Sequence, residues 1–384
     1  MPTSSPSRLA RGRATQPNRA KRPVPPVLVR EMRGEVEESS HRGDVVEVDL
    51  GGRILRAIGD PERPTNLRSA VKPFGLIALL EAGGDREFGL EPAELAIMAG
   101  SHSGEDLHVR TLLALFRRTG ISQADLACGT MTPMDDLTAA RLARDGERPG
   151  VIRHMCSGQH SVFLLMSKLG GWTPREYWLD DHPTQVALRD AVAKAFRTSP
   201  TRLVTSIDGC GISTFAFPLR EIAWAFACLA DPDGIPGDDP RSRLAGHYRT
   251  IAGAMMAHPE MVAGTHDRLD TSLMKAIPGR VVAKGGAEAL RGAGILPGPR
   301  AGSSARGGSS GASGMALKIE DGDGYDRAAP AAFVEALRQA GVVDGQPLRA
   351  LARYHRPPTM DAHGRVAAEA IPAFELAPIG ELVS

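Results

Sequence analysis

Hydrophobic and polar positions divide this chain into strand-like segments at both sides of a long helical block. Val27–Arg33 has the pattern of a strand. The runs Val45–Leu50 and Arg53–Ile58 flank Gly51-Gly52, a pair that favours a hairpin turn. From Ser69 to about His258 the apolar residues recur mostly with a helical period, often just after a residue that can cap a helix. The predicted helices span residues 69–82, 91–99, 104–119, 134–145, 157–169, 183–196, 216–230 and 241–257.

Short apolar runs complete the predicted elements. Leu203–Ile207, Arg280–Ala283 and Met315–Ile319 predict buried strands, and residues 330–340 predict a further helix. The stretch 298–314 is rich in Gly and Ser, which predicts a flexible loop that cannot bury a core. Strands before and after a helical block favour an α+β protein in which both ends of the chain contribute to one sheet.

The N-terminus is basic and contains no acidic residue before residue 26. It lacks the apolar core of a secretory signal, and its weak amphipathic period favours a disordered extension over a transit peptide. No run approaches the 18 or so apolar residues that a membrane-spanning helix needs. We therefore expect a cytoplasmic protein without membrane contact.

Composition and charge exclude several classes of protein. The 384 residues include 46 basic and 45 acidic side chains, so a net charge of +1 gives no electrostatic reason for nucleic-acid binding. Four cysteines in a chain of this length do not form a disulfide scaffold and agree with a reducing compartment. Lysine is scarce, with seven residues against 39 arginines, so each lysine position deserves a chemical interpretation.

One candidate site is centred on lysine. Ser69 and Lys72 form an S-x-x-K pattern whose spacing places both side chains on one helix face, where a lysine of lowered pKa can activate a serine. Ser101 lies between two predicted helices, and Lys284 follows two β-branched residues. This order of Ser-Lys, then Ser, then Lys-Gly-Gly is the order used by penicillin-recognising hydrolases. The structural alternatives are that Ser69 and Ser101 cap helices and that Lys284 is a solvated strand end.

Two cysteines form a second candidate. Cys156 and Cys210 each lie in a glycine-containing loop before a predicted helix, where the helix N-terminus favours a thiolate. His154 and His160 flank Cys156, so a Cys/His metal site and a pair of buried free cysteines both remain open. Asp208, next to Cys210 in the sequence, can orient a substrate amine or stabilise a turn.

Eight motifs in a fixed order connect these residues to a known family: RSAVKPF (68–74), AGSHSGE (99–105), HMCSGQH (154–160), DDHPTQ (180–185), DGCGISTFAFPL (208–219), VAGTHDRLDT (262–271), AKGGAE (283–288) and ALKIEDGD (316–323). Together they resemble the bacterial L-asparaginase II family, the class 3 type. The resemblance covers roughly residues 25–340. It implies a serine β-lactamase or penicillin-binding-protein-like fold, with a mixed sheet flanked by helices and a helical subdomain.

The resemblance also implies a catalytic scheme. Ser69 is the expected acylated nucleophile with Lys72 as its base, while Ser101 and Lys284 relay protons and hold charge. The expected reaction is hydrolysis of L-asparagine to L-aspartate and ammonia through an acyl-enzyme. A lysine-activated serine suits such acyl transfer.

Substrate and metal sites follow from the same resemblance. Arg68 and Asp208 are the expected substrate-binding residues. Zinc is the expected metal, held by Cys156 and Cys210, and no organic cofactor is expected. This chain departs from the family at one ligand position, because Gln159 replaces the family lysine, and a neutral amide is a weak ligand for zinc.

A second departure lies in the Lys-Gly-Gly sequence. Gly285 stands where the K-T-G pattern has threonine, so a hydroxyl that could bind a substrate carboxylate is absent.

These expectations define one protein with three parts. We expect a disordered basic tail over residues 1–25, an asparaginase II-like catalytic domain over 26–345 and a C-terminal extension over 346–384. The partner is a small-molecule substrate, and the resemblance implies a homodimer. Two alternatives remain open: an impaired family member that binds an amino acid or a metal, and a related S-x-x-K hydrolase acting on glutamine or another amide.

Overall fold

The computed structural model describes residues 23–301, 311–322 and 327–379, which form an α+β structure. The strands are β1 (Val27–Arg33), β2 (Val36–Asp49), β3 (Ile54–Ile58), β4 (Pro64–Asn66), β5 (Val204–Ile207), β6 (Ser213–Pro218), β7 (Val281–Ala283), β8 (Leu290–Ile295), β9 (Ser313–Ile319), β10 (Pro358–Met360) and β11 (Val366–Pro372). The helices are α1 (Lys72–Gly75), α2 (Ile77–Glu81), α3 (Gly84–Glu87), α4 (Pro92–Met98), α5 (Asp106–Thr119), α6 (Asp136–Arg144), α7 (Ser157–Gly170), α8 (Pro183–Ala195), α9 (Leu219–Ala230), α10 (Ala245–Ala257), α11 (Pro259–Val262), α12 (Leu269–Ala276), α13 (Ala328–Gln339), α14 (Gly345–Ala350) and α15 (Ala352–His355). The predicted α+β class, with a sheet flanked by helices and a helical block, is confirmed.

The main sheet has eight strands in the order β10-β11-β1-β2-β9-β8-β7, with β3 paired to β2 off this path. Every described strand pair is antiparallel, so the expected mixed sheet is wrong in this detail. Short connections join β1 to β2, β2 to β3 and β7 to β8, and such connections produce antiparallel neighbours. The helical block re-enters the sheet at its far edge, on β7, and therefore forms no parallel crossover.

Both ends of the described chain contribute to this sheet, as the order of elements predicts. Strand β11 pairs with β1, where Arg30 lies opposite Ile371. The boundary expected at residue 345 therefore does not coincide with the end of the sheet, because the region expected as an extension supplies its two terminal strands. Neither strand forms a buried apolar run that would predict it, because β10 has three exposed residues and β11 is only partly buried.

Helix α9 packs on the central strands, and glycines permit its close approach. A Cβ atom at Gly314 would lie 1.8 Å from the carbonyl oxygen of Ala223 on α9, and one at Gly292 would lie 2.3 Å from the ring of Phe226. These positions in β9 and β8 cannot hold a larger residue without moving the helix. The predicted helix over 216–230 begins only at Leu219, because the preceding residues form β6.

A second sheet of three strands, in the order β4-β6-β5, connects the main sheet to the helical block. The predicted strand Leu203–Ile207 is present as β5, but the expectation that it is buried is wrong. It is the edge strand of this small sheet, and Val204 and Ile207 are 66% and 74% exposed. An apolar run indicates a strand but not whether another layer covers it.

The other predicted helices are present, with ends shifted by a few residues. The predicted helix over 69–82 is divided into a 3₁₀ turn at Arg68–Val71 followed by α1 and α2. The Gly51-Gly52 turn forms as predicted, with Gly52 at a φ of 84°. The expectations for the basic tail and the Gly/Ser loop fall mostly on residues 1–22 and 302–310, which lie outside the described residues. Within the described ranges, no helix combines the length and apolar character that crossing a membrane requires.

Candidate active site

Ser69 lies in the 3₁₀ turn that precedes α1 and is buried. The turn is held from both sides: Leu67 N–H donates to the carbonyl of Phe215 in β6 at 2.8 Å, and Gly286 packs against its backbone. Arg68 has a φ of 46°, in the left-handed region that costs energy for a residue with a side chain. Helix α1 begins after Val71, so the alternative that Ser69 caps a helix is wrong.

Lys72 connects this turn to the loop that contains Ser101. Its Nζ donates to Ser101 Oγ at 2.9 Å, to the carbonyl of Met155 at 3.4 Å and to Cys156 Sγ at 3.3 Å. Three acceptors match the three N–H bonds of an ammonium group. The hydrogen bond therefore joins Lys72 to the other predicted serine rather than to Ser69, its neighbour in the S-x-x-K pattern.

The Ser101 loop is buried and fixed by long-range contacts. Ser101 N–H donates to the carbonyl of Val262 at 2.7 Å, and Arg268 donates to the Ser101 carbonyl at 3.0 Å and to Ser103 Oγ at 2.9 Å. The residue that caps α5 is Glu105, so the alternative that Ser101 is a helix cap is wrong.

Lys284 is buried directly after β7, which excludes the alternative of a solvated strand end. Its Nζ donates to the carbonyl of Gly285. Burial lowers the pKa of Lys284 to about 7; the Asp270 carboxylate opposes this shift and the Lys72 charge adds to it. Near neutral pH a large fraction of Lys284 is therefore a neutral amine.

Asp270 is a buried partner of this lysine. Its Oδ2 accepts a hydrogen bond from Gly285 N–H at 2.8 Å, and its Oδ1 lies 3.6 Å from a guanidinium nitrogen of Arg291. Burial alone would raise the pKa of Asp270, but the charges of Lys284 and Arg291 and the backbone hydrogen bond lower it overall. Asp270 is thus a carboxylate next to the proposed proton-transfer group.

Arg68 and Asp208, the two expected substrate-binding residues, form an ion pair. Arg68 Nε donates to Asp208 Oδ1 at 2.6 Å, and an Arg68 Nη1 atom lies 3.9 Å from Glu288 Oε1. Arg68 offers donors for a carboxylate, and the two acidic side chains offer acceptors for an ammonium group. These donors and acceptors lie at the residue that directly precedes Ser69 in the chain.

A small cavity of about 190 Å³ brings the two predicted serines together with the Lys-Gly-Gly segment. It is lined by Ser69, Ser101, Met134, Met155, Gly285, Gly286, Ala287 and Glu288. This volume is below the roughly 300 to 1,000 Å³ of sites for larger ligands. The cavity thus suits a molecule of single amino-acid size.

Cys156 and Cys210 are brought together from different elements. Cys156 directly precedes α7 as predicted, whereas Cys210 lies in a turn before β6 and not before a helix. A hydrogen bond from Cys210, together with the charge of Lys72, holds the pKa of Cys156 well below its usual range. The same hydrogen bond, together with burial, raises the pKa of Cys210, so the two sulfur groups differ in proton affinity.

The residues around this pair do not complete a zinc site. Among the described residues, the one group of three or more His, Cys, Asp or Glu ligand atoms within 4.8 Å of one another is Glu105, Asp135 and His266, which does not include the cysteines. Gln159 is buried, and the Lys72 ammonium already contacts the Cys156 sulfur. The donor set therefore fits zinc poorly as it stands.

His160 is the nearest candidate for a third ligand in the sequence. It is buried, its Nδ1 lies 2.5 Å from the hydroxyl of Tyr177, and its Nε2 has no hydrogen-bond partner among the described residues. Burial lowers the pKa of His160 to about 3, so the imidazole is neutral. His160 does not form a group with Cys156 and Cys210 in which all ligand atoms lie within 4.8 Å of one another.

The Glu105, Asp135 and His266 group has a structural role. Glu105 and Asp135 are the residues that cap α5 and α6. Glu105 also accepts hydrogen bonds from the amide and hydroxyl of Thr265, at 2.8 and 2.5 Å. These contacts account for the cluster.

Sequence reasoning assigned no role to Arg268, Asp270 or Glu288. All three lie inside motifs that carry the family resemblance, VAGTHDRLDT and AKGGAE. Their charged side chains within these motifs were the sequence feature that could have identified them. Only the folded chain shows that they contact Ser101, Gly285 and Arg68.

Comparisons with known proteins give one strong match. A sequence model of the family described as L-asparaginase II matches residues 29–372. No curated protein sequence matches this chain significantly.

Likenesses to solved structures are weaker. A probable glutaminase from Bacillus subtilis complexed with 6-diazo-5-oxo-L-norleucine has 11% identity over 80% of this chain and 86% of that chain, with a TM-score of 0.35. A Bacillus glutaminase studied in 4.3 M NaCl has 10% identity over 78% of this chain and 91% of that chain, with a TM-score of 0.40. A structure described as Mglu has 16% identity over 80% of this chain and 69% of that chain, with a TM-score of 0.36.

Proposed function

The chain belongs to the L-asparaginase II family of amidohydrolases, and we propose that it hydrolyses L-asparagine to L-aspartate and ammonia through an acyl-enzyme on Ser69. Its α+β architecture agrees with the serine β-lactamase-like fold that the resemblance implied. The observation that carries the proposal is the hydrogen bond between Lys72 Nζ and Ser101 Oγ beside Ser69, at one small cavity.

Charge complementarity supports the recognition site. The α-carboxylate of the substrate binds to the Arg68 guanidinium, whose paired donors match a carboxylate. The α-ammonium binds to the carboxylates of Asp208 and Glu288. Asp208 Oδ1 lies 2.6 Å from Arg68 Nε, and Glu288 Oε1 lies 3.9 Å from Arg68 Nη1. The side-chain amide then points into the cavity toward Ser69.

The reaction has two steps. Ser69 Oγ attacks the side-chain carbonyl carbon, the bond to the amide nitrogen breaks, and the nitrogen takes up a proton and leaves as ammonia. The aspartyl ester on Ser69 is then cleaved by water, which restores the hydroxyl and releases L-aspartate. Both steps need a group that accepts a proton from an attacking oxygen and returns it to the leaving group.

Two lysines share this proton transfer. Lys72 lies one hydrogen bond from Ser101 Oγ, so the pair can pass a proton between Ser69 and the departing nitrogen. Lys72 Nζ donates to three acceptors, whereas burial lowers the pKa of Lys284 to about 7, so Lys284 is the lysine that can exchange a proton near neutral pH. We therefore assign base character to Lys284, which donates to Gly285 in the wall of the Ser69 cavity, and proton relay to Lys72, which donates to Ser101.

The chain contains a matched control for the nucleophile. Ser272 and Lys275 form a second S-x-x-K pattern in α12, where Ser272 Oγ lies 2.9 Å from the Tyr354 hydroxyl and Lys275 lies 3.7 Å from Glu260. Ser69→Ala should abolish ammonia release from L-asparagine while the circular dichroism spectrum is retained. Ser272→Ala should leave it unchanged.

A substrate panel separates the remaining alternatives. L-Asparagine should release ammonia faster than L-glutamine, and intact mass should detect an aspartyl adduct that is absent in Ser69→Ala. One extra methylene in a pocket is worth roughly 10- to 200-fold, so the preference is measurable. Faster turnover of L-glutamine would contradict the assignment of asparagine, and calorimetric binding of L-asparagine without ammonia release would contradict the enzymatic proposal.

Zinc and the homodimer stay predictions of the family resemblance. Neither reaction step is routed through a metal. Metal content of the purified protein, compared with that of Cys156→Ala, tests the first prediction. Sedimentation equilibrium tests the second.

A further inference from the structure

A second and larger cavity of about 530 Å³ lies outside the Ser69 cavity. Its volume is within the roughly 300 to 1,000 Å³ of small-molecule sites. Its walls combine apolar residues, including three prolines and a leucine, with charged side chains from α12, β8 and α15 and from the segment before α12. The polar lining residues that matter are Asp267, Arg268, Asp270, Arg291, Arg353 and Tyr354.

The charges of this lining indicate the class of ligand. Three guanidinium groups face two carboxylates, which gives a formal excess of one positive charge. Arg268, Asp270 and Arg291 are buried, and Asp270 lies 3.6 Å from Arg291. Guanidinium groups bind carboxylates through paired donors, and carboxylates accept from ammonium groups. A small acidic amino acid, with two carboxylates and one ammonium, has the complementary pattern.

Two lining residues also hold the active site. Arg268 donates to the Ser101 carbonyl at 3.0 Å and to Ser103 Oγ at 2.9 Å. Asp270 accepts from Gly285 N–H at 2.8 Å. Ser101 and Gly285 line the small cavity, so the two cavities share a wall of two charged side chains.

We propose that the larger cavity is a second binding site for a small acidic amino acid, and that its occupancy changes turnover through Arg268 and Asp270. The binding part stands on the cavity alone, whereas the effect on turnover rests on the proposed function. A ligand carboxylate that binds Arg291 competes with Asp270, which lies 3.6 Å from it, and alters how Asp270 holds Gly285. Couplings of this kind typically change a rate or affinity by roughly 5- to 150-fold.

Arg353 gives the variant that tests the site. It is 60% exposed and paired with Asp267, so Arg353→Ala removes a lining guanidinium without opening the core. Arg249, also 60% exposed and paired with an exposed aspartate, Asp233, is the matched control away from the cavity lining. Arg68→Ala removes recognition at the Ser69 cavity instead.

Calorimetry with L-aspartate, succinate and inorganic phosphate measures binding. We expect a class of L-aspartate sites that is weakened at least tenfold in Arg353→Ala and retained in Arg249→Ala and Arg68→Ala. Succinate lacks the ammonium and phosphate lacks both it and the carboxylates, so both should bind more weakly. Equal binding of phosphate, or a single class of sites that is lost in Arg68→Ala, overturns the proposed site.

Kinetics tests the coupling. Added L-aspartate should change kcat for L-asparagine by severalfold in the wild type and in Arg249→Ala but not in Arg353→Ala. Purely competitive inhibition, with kcat unchanged, overturns the coupling. If no amide is hydrolysed the proposed function fails, while the calorimetric result still decides whether the second site exists.

Discussion

Replacing Asp270 by asparagine tests how one buried carboxylate sets the proton affinity of Lys284. Asp270 accepts from Gly285 N–H at 2.8 Å, and the carbonyl of Gly285 accepts from Lys284 Nζ. Burial is the largest influence on the pKa of Lys284, which it lowers to about 7, and the Asp270 charge works in the opposite direction. The amide side chain of the Asp270→Asn variant can keep the backbone hydrogen bond through its oxygen, while the substitution removes the charge.

The size of the effect follows from the proximity of the two charges. An opposite charge within about 4 to 6 Å typically shifts a pKa by 1 to 3 units in favour of the charged form. Loss of the carboxylate should therefore lower the pKa of Lys284 by roughly one to two units, or about 1.4 to 2.7 kcal/mol. Because the neutral amine is the base, a lower pKa keeps the enzyme active at more acidic pH. The acid limb of kcat/KM should move from near 7 to about 5 to 6.

The assay is ammonia release at low L-asparagine concentration across this pH range. Asp270→Asn should shift the acid limb, whereas Asp270→Ala should shift it and also lower kcat, because Gly285 N–H loses its acceptor. Asp233→Asn, an exposed surface change, is the control and should leave the profile unchanged. An acid limb that stays in place in Asp270→Asn, or that moves to higher pH, would refute the assignment of Lys284 as the base.

Three further predictions concern the turn, the thiols and the C-terminal region. Gly286→Ala should reduce kcat at least tenfold, because its Cβ would lie 2.5 Å from the carbonyl oxygen of Leu67 in the turn before Ser69; ammonia release measures this. Cys210→Ala should raise the pKa of Cys156 by removing the donor to its thiolate, which ultraviolet thiolate absorbance during a pH titration detects. Glu335→Gln should lower the free energy of unfolding at neutral pH by about 2 to 3 kcal/mol, which urea unfolding can measure. The reason is that hydrogen bonds to the Glu335 carboxylate lower its pKa by more than burial raises it, to about 2.

Controls separate these effects from general damage. Gly253→Ala in α10 places its Cβ in open space and should keep full activity. The Glu335 contribution is present above its unfolded pKa of about 4.5 and is lost as the pH falls toward about 2, so the difference from wild type should disappear over that interval. Glu37→Gln, which breaks an exposed pair with Arg30, should cost under about 1 kcal/mol. Normal kcat in Gly286→Ala would contradict the packing of Gly286 against the turn. An unchanged Cys156 titration in Cys210→Ala would contradict the hydrogen bond between the cysteines. A Glu335→Gln effect on stability that does not depend on pH would contradict the lowered pKa of Glu335.

Local pattern was enough to locate most elements and the motifs. Strand β1 coincides with the predicted Val27–Arg33, and the helical period located α4 to α8 within a few residues. A helix is predicted from apolar residues one helical turn apart and a strand from apolar residues two positions apart. Both patterns are therefore contained in short windows of sequence. The residues of the candidate site were likewise recognisable, because the motifs that contain them are contiguous.

Partners and burial were decided by the tertiary structure. The family resemblance implied that Lys72 acts on Ser69 and that Lys284 acts with Ser101. The folded chain adds a hydrogen bond from Lys72 to Ser101 and an electrostatic interaction between Asp270 and Lys284. These contacts join residues far apart in the chain, and no periodicity encodes them. The exposure of β5 and the pairing of β11 with β1 depend in the same way on which layer covers a strand and where a distant segment returns. Short-range pattern therefore specifies the elements and the reactive groups, and long-range packing sets which of those groups lie close enough to exchange a proton, to pair their charges or to line one cavity.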